Sequence, residues 1–266
     1  MAFRIIVCVK QVLDEDEIKI DKQNGNLLTE NARKIINKDD LNALEEALII
    51  KNKYENTHIT VVTMGEPEAK NILLECLALG ADDAVLISDN ALKESDTLVT
   101  AEVLSAAIKK LGSYDLVLTG RQATGGDTQQ VGIQLAELLD IPHINGILEL
   151  RIENNMKSIV AKSITEKNCM LLKMKMPCLL TAVKELNKPR NMSIRGILEA
   201  RKKKLKVWSV IDLGLMPDSV GLNASSTKVM RSFVPIHNSK CKFICDESEQ
   251  EMVKGLLKEL HANYIV

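Results

Sequence analysis

Aromatic side chains are scarce in this 266-residue chain, which has one Trp, three Tyr and three Phe. The charges nearly cancel as well, 35 basic against 36 acidic residues for a net charge of −1. A nucleic-acid platform needs a positive surface and stacking rings, so that class is disfavoured. Long apolar runs are also missing. The segment Ile5 to Val9, closed by Lys10, is far too short for a spanning helix or a signal-peptide core, so a cytoplasmic location without membrane association is expected. The six cysteines, Cys8, Cys76, Cys169, Cys178, Cys241 and Cys245, form no C-x-x-C pair and no Cys/His set at metal spacing. They read as reduced thiols, and no metal site is expected. What remains, 45% apolar and 27% charged residues, is the composition of an ordinary globular protein and excludes disordered, collagen-like and disulfide-scaffold classes.

Hydrophobic periodicity points to an α/β fold. Phe3 to Val9 is a continuous β-branched run, the mark of a strand buried on both faces of a parallel sheet. His58–Met64, Ala84–Ile87 and Leu116–Thr119 repeat that signal, and each is followed by turn residues and a helical period. The alternation predicts a doubly wound, mostly parallel sheet. Asn37 is a candidate N-cap for a helix with Leu41, Leu44, Ala47 and Leu48 on one face. Pro67 suits the first turn of a second helix ending at Gly80. Ser95 or Asp96 opens a third, closed by Gly112, and Thr128–Leu139 is the fourth. The first crossover, Gln11 to Asn37, is too long for a βα loop and predicts a β-hairpin flap around Asn24-Gly25.

After Pro142 the period changes to strands, Gly146–Ile152, Ser158–Ile164, Met170–Met174 and Cys178–Val183, which predict an antiparallel edge added to the sheet. Lys184 to Lys206 holds nine basic residues against Glu185 and Glu199. Residues 1–206 are therefore expected to form the α/β domain, and 207–266 an extended arm. Asp246 and Glu249 would cap its last helix, with the apolar stripe Met252, Val253, Leu256, Leu257 and Leu260. Such an arm needs a partner to lie on.

The stretch Gly120-Arg121-Gln122-Ala123-Thr124-Gly125-Gly126-Asp127-Thr128-Gln129-Gln130-Val131 leaves a parallel strand at its C-terminal end and enters a helix. Ligands of open α/β sheets sit at that edge, and the unpaired N–H groups of a helix start favour an anion. Gly125 and Gly126 admit a close backbone approach, Thr128, Gln129 and Gln130 offer donors, and Arg121 offers a positive charge. Spacing alone leaves two readings level: a phosphate or pyrophosphate cradle, and a plain glycine-rich turn with Asp127 as N-cap. The stretch is neither a P-loop nor G-x-G-x-x-G. Cys8, Met64, Gly65 and the helix start from Asn37 through Lys38 and Asp39 to Asp40 should line the same edge, where Asn37 and Asp39 could bond an adenine amino group or a ribose hydroxyl. Each alone also reads as core or cap. No catalytic set is visible among His58, His143, His237 and His261, and no serine sits in a G-x-S-x-G elbow, so redox chemistry here would need an external cofactor. The basic stretch is either a solvated helical face from Glu199 to Lys206 or a docking loop from Leu186 to Ile197 in which Ile194 is an apolar anchor inside a positive rim.

With IIVCVKQV, IINKDDLNALEEA, VTMGEPEA, LALGADDAVLI, LTGRQATGGDTQQVG, KMPCLLTAV and LNKPR followed by EARKKKLKVW, the chain resembles the β subunit of electron-transfer flavoprotein from Phe3 to its C-terminus. The resemblance implies that Cys8, the Asn37–Asp40 turn, Met64 and the Gly120–Val131 stretch hold an adenine nucleotide. It implies an α-subunit partner, and a recognition loop from Asn187 through Lys188, Pro189, Arg190, Ile194 and Arg195 to Ile197 that docks a flavin dehydrogenase. GRQ before GGDTQQVG, with VTMG, resembles the anaerobic electron-bifurcating form. That implies FAD, with AMP as the alternative, NAD(H) as exchanging substrate and ferredoxin as a second electron partner. Lys162, Glu166, Pro177 and Thr181 fit the family pattern between the central strands, whereas Thr165, Lys167 and Met170 depart from it. Arg195 stands where many members have proline, which points toward a lactate-type rather than an acyl-CoA-type dehydrogenase. A nucleotide-binding regulator on the same sheet type would need neither the basic loop nor the arm. A pyrophosphatase-type ligase would need an S-G-G-x-D-S-like loop that Lys10 to Asp14 does not supply.

Overall fold

The β-branched run at the N-terminus forms the central strand β1 (Phe3–Cys8), buried at every position but Arg4. It belongs to a computed structural model that describes residues 2–20, 27–28, 32–153, 156–165, 168–230, 241–245 and 248–265. The long crossover that follows contains β2 (Gln11–Leu13), β3 (Lys19–Ile20), β4 (Leu27–Leu28) and β5 (Lys34–Ile36). β2 pairs antiparallel with β5, and β3 with β4, as a hairpin flap requires; its Asn24-Gly25 turn lies outside the described residues.

Three β-α repeats then build the parallel sheet: α1 (Lys38–Lys53), β6 (Thr57–Met64), α2 (Lys70–Leu79), β7 (Asp83–Ile87), α3 (Thr97–Leu111), β8 (Leu116–Gly120) and α4 (Val131–Leu138). Their ends follow local chemistry. Pro67 opens a 3-10 turn leading into α2, which stops at Gly80 with φ +131°. Asp96 caps α3 by accepting from the Val99 N–H at 3.0 Å, and Gly112 closes it. One core lies between the sheet and α1 with α2, the other beneath α3 with α4. Each fully buried Leu or Ile in them, Leu44, Ile72 or Ile108 for instance, contributes about 1.5–3 kcal/mol relative to exposure.

The second half adds β9 (His143–Ile152), β10 (Ser158–Ile164), β11 (Cys169–Lys175), β12 (Cys178–Ala182), α5 (Ile194–Ala200), β13 (Lys206–Trp208), α6 (Gly221–Ala224) and α7 (Glu249–Ala262). Among the described residues the main sheet has nine strands in the order β11-β10-β9-β12-β8-β1-β6-β7-β13. β9, β10 and β11 form the antiparallel edge. β12 does not: it lies inside the sheet, parallel to both β8 and β9, which corrects the expectation for Cys178–Val183. All five of its residues are buried, the property of a strand covered on both faces.

The chain forms two compact units, Met1–Met230 and Arg231–Val266. Residues 207–230, on the arm side of the expected boundary, belong to the first, because β13 pairs in parallel with β7 and places the single tryptophan, Trp208, opposite Ile87 at the sheet edge. The Lys110 ammonium stands 4.8 Å from the centre of that indole ring. In the second unit Ser248 caps α7, accepting from the Glu251 N–H; Asp246, expected as the cap, lies outside the described residues. Val253, Leu256 and Leu257 of the apolar stripe are exposed. No helix among the described residues is long and apolar enough to cross a membrane.

Candidate nucleotide site

The sheet order changes direction between β1 and β8: from β1 the chain winds outward through β6 to β7, then returns to place β8 on the other side. The C-terminal ends of strands splay apart at such a switch point and leave a crevice. A cavity of about 350 Å³ lies there, lined by the strand ends Cys8–Lys10, Thr119-Gly120 and Met64 and by the loop ahead of α4. Its size is at the lower end of small-molecule sites.

Asp40, in the first turn of α1, stitches the two strands together. Its Oδ2 accepts from the Lys10 N–H at 2.7 Å and its Oδ1 from the Gly120 N–H at 2.8 Å. Burial pushes this carboxyl up to about 7, opposed by the hydrogen bonds from Lys10, Asn37 and Gly120. Burial also raises Asp39, with the Gln122 N–H and the Arg121 charge acting the other way. Cys8 is pushed up to about 12, first by burial and then by the Asp40 charge, so it presents an inert thiol wall.

Asn37 stands at the N-cap position of α1, yet its side chain makes no cap bond. It turns to the glycine-rich loop, donating to the Gln122 C=O at 2.8 Å and accepting from the Thr124 N–H at 3.3 Å. That loop runs on until Val131, later than the helix start expected at Thr128. Asp127 and Gln129 hold left-handed φ values of +46° and +56°, as does Gly125 at +88°. A helix cannot pass through such residues. Asp127 is consequently not the N-cap; Gln130 is, without a side-chain bond. Gly132 follows because a Cβ there would stand 2.7 Å from Thr119 Oγ1 and 2.9 Å from Thr181 Cγ2, so glycine lets the start of α4 approach β8 and β12.

Of the residues expected from sequence, Cys8, Asp40, Met64, Gly120–Ala123 and Gly126–Val131 line the cavity. Asn37, Lys38, Asp39, Gly65, Thr124 and Gly125 are not in its wall. Among them Asn37 acts one layer back, through the loop. The opposite wall went unnoticed in the sequence: Leu92, Glu94, Ser95, Asp96, Thr97 and Thr100, from the β7–α3 connection and the start of α3. The signal was present, since a capped helix start after a parallel strand must lie on the same edge. Across the cavity Thr97 Oγ1 bonds Gln130 Oε1 at 2.9 Å.

The arrangement suits an anion. The Nε of Arg121 is buried without a hydrogen-bond partner, a state that is costly unless a ligand supplies the acceptor. Asp39 is the acid that feels the Arg121 charge; of the acids lining the cavity, Asp40 is engaged as above, and Asp96 accepts from the N–H groups of Val99 and Thr227 and from the Ser226 hydroxyl. No group of acidic, His and Cys side chains among the described residues could hold a metal ion.

In the expected docking loop, Ile194 is 81% exposed on the first turn of α5, with Ile197 and Leu198 beside it. Arg195 pairs with Glu199 at 2.8 Å. Arg190 and Asn187 face inward onto α1, Lys188 is exposed and Pro189 half-buried. The helix ends at Ala200, so Glu199 to Lys206 is not a continuous helical face. Lys162 pairs with Glu149 at 3.0 Å. Met170 is exposed, and Glu166 and Lys167 lie outside the described residues.

The profile of the "Electron transfer flavoprotein domain" family matches residues 25–213. The CarD subunit of a caffeyl-CoA reductase-Etf complex from Acetobacterium woodii is 44% identical over 263 residues, 99% of this chain and 100% of that one. An electron transfer flavoprotein subunit beta from Clostridium acetobutylicum is 46% identical over 228 residues, 86% of each chain. The acryloyl-CoA reductase electron transfer subunit gamma of Anaerotignum propionicum is 36% identical over 270 residues, 99% of this chain and 100% of that one.

Proposed function

The chain belongs to the electron transfer flavoprotein family as a β subunit, and from that premise we infer that it is the nucleotide-holding half of a heterodimer that passes electrons between NAD(H), ferredoxin and a flavin dehydrogenase. The nucleotide is FAD, and the cavity at the β1/β8 switch point is its site. Bound there, a flavin supplies reversible one- and two-electron transfer that no side chain of this protein can perform. The observation that carries the reading is the orphaned Arg121 Nε beside the glycine-rich loop, a cation waiting for an oxyanion at the edge where α/β sheets hold phosphates.

The residues divide the work. Arg121, the loop amides around Gly126 and the side chains of Thr128 and Gln130 hold the diphosphate. Asp40 and Asn37 keep the two strand ends and the loop in place around it, and Cys8 and Met64 give the adenine an apolar bed that excludes water. The volume of about 350 Å³ suits an adenylate moiety, with the rest of a larger ligand reaching out past the loop. The same volume supports AMP as a second reading.

The exposed side chains of Ile194, Ile197 and Leu198 are the contact for the dehydrogenase, and the stripe on α7 is the contact for the α subunit. The relatives' complexes with caffeyl-CoA and acryloyl-CoA reductases favour an enoyl-CoA-type dehydrogenase over the lactate type suggested by Arg195.

Identifying the adenine compounds released on denaturing the purified heterodimer tests this. Two flavins per dimer are expected; one flavin with AMP would leave the protein a simple shuttle, and no adenine compound would end the reading. Thr128→Ala combined with Gln130→Ala should strip the nucleotide.

A further inference from the structure

Helix α1 buries a second set of polar side chains, within two turns beyond the cavity, that neither the cavity nor the apolar cores use. Asn42, Glu45 and Glu46 are all buried. The Asn42 amide donates to the Asn187 C=O at 2.8 Å, and the Asn187 amide returns to the Asn42 C=O at 3.0 Å and to Glu46 Oε2 at 3.1 Å. Glu45 receives Arg190 in a forked pair, Nε to Oε2 and Nη2 to Oε1 at 2.9 Å each, and also accepts from the Arg190 backbone N–H at 3.1 Å. Leaving any one of these groups unpaired would be unfavourable, so the bonds form as a set and fix the chain leading into α5.

We propose that Asn42 and Glu45 are positioning residues for the docking surface around Ile194, and that α1 makes the order of that surface depend on occupancy of the cavity. The second half rests on the nucleotide reading given above. The first turn of α1 bonds the strand ends and the glycine-rich loop through Asp40 and Asn37. Its second and third turns bond the segment 184–190. The glycine-rich loop is solvent-exposed from Gly125 to Gln130 and holds two non-glycine residues in left-handed conformation, and a ligand bonded to its amides would add restraint to whatever motion such an exposed loop has. Motion removed there tightens the ties on the start of α1, and a helix of 16 residues is stiff enough to pass the restraint to its next two turns. No change of shape is needed, only a narrower range of motion in the docking loop.

Hydrogen exchange on the purified heterodimer, stripped of nucleotide and titrated with AMP, tests the coupling. AMP should slow exchange in peptides from 120–132 and also, by about fivefold or more, in peptides from 186–198. In Glu45→Gln, and separately in Arg190→Ala, which breaks the same clasp from the loop side, AMP should still slow 120–132 while 186–198 exchanges fast with or without it. A wild-type response confined to 120–132, or variants that keep the wild-type response in 186–198, would overturn the proposal. Absence of any AMP response at 120–132 would instead remove the nucleotide reading, and the coupling with it.

Discussion

Gly120 and Asp40 stand so close that a methyl group on the glycine would come within 2.3 Å of the Asp40 Oδ1. The same oxygen accepts from the Gly120 N–H, so contact and hydrogen bond are one piece of geometry. Gly120→Ala should therefore break the stitch between β1 and β8, destabilise the fold by about 1–3 kcal/mol and lower nucleotide content. Thermal melts and assay of released nucleotide check both.

Asp40 also sets a pH dependence. Its folded-state value of about 7 exceeds that of an unfolded aspartate, so between about pH 4 and pH 7 the folded state binds the extra proton and stability falls as pH rises through that window. Asp40→Asn should flatten this slope. It should also be less stable than the wild type at pH 5, because both oxygens of even the protonated carboxyl can accept from the Lys10 and Gly120 N–H groups, whereas an amide nitrogen can accept from neither. Urea titrations across the window would show an unchanged slope if Asp40 were not responsible.

Arg121→Ala should leave the fold intact, since the Nε has no hydrogen-bond partner within the chain and the charge it removes acts on the half-buried Asp39 without a direct bond between them. Nucleotide affinity should fall by about 10- to 150-fold, the worth of a charge-assisted bond of about 1.5–3 kcal/mol. Calorimetric titration of the stripped heterodimer with AMP would measure it, and unaltered affinity would remove Arg121 from the cradle.

Ile194→Ala tests the docking surface. An apolar side chain 81% exposed contributes little to the fold, so melting temperature and nucleotide content should not change. Electron delivery to the dehydrogenase should drop by about 30-fold if Ile194 is a central anchor worth about 2 kcal/mol.

A chain ending at Met230 keeps the first compact unit whole, including β13, and should remain folded. It should no longer co-elute with the α subunit in size-exclusion chromatography. A truncated chain that still assembles would show that α7 and its exposed stripe are not the clamp.

Much of this was legible in the residues. The parallel strands announce themselves because burial on both faces demands continuous apolar runs; the glycine-rich turn announces only a turn, and its spacing leaves a phosphate cradle and a plain βα turn level. α4 starts later than Thr128 because Gln129 takes a left-handed turn that its residue type does not announce, whereas Asp127, of a type enriched at such turns and preceded by two glycines, does announce one. β12 was misassigned because its partners, β8 and β9, are chosen by chain crossing and not by local pattern. Asn42, Glu45 and Glu46 look like the wet side of an amphipathic helix, and only the segment 184–190 folding over them makes them interior.

The sole indole of the chain, Trp208, gives the protein a built-in optical reporter with a narrow field of view. It is half-buried on the last strand of the sheet, held there by three residue pairs with β7 and shadowed by Lys110. Ultraviolet emission excited at the indole band consequently follows the attachment of one peripheral strand. A red shift in mild denaturant would mark the peeling of that margin, and the circular dichroism of the remaining sheet would then lag behind the fluorescence.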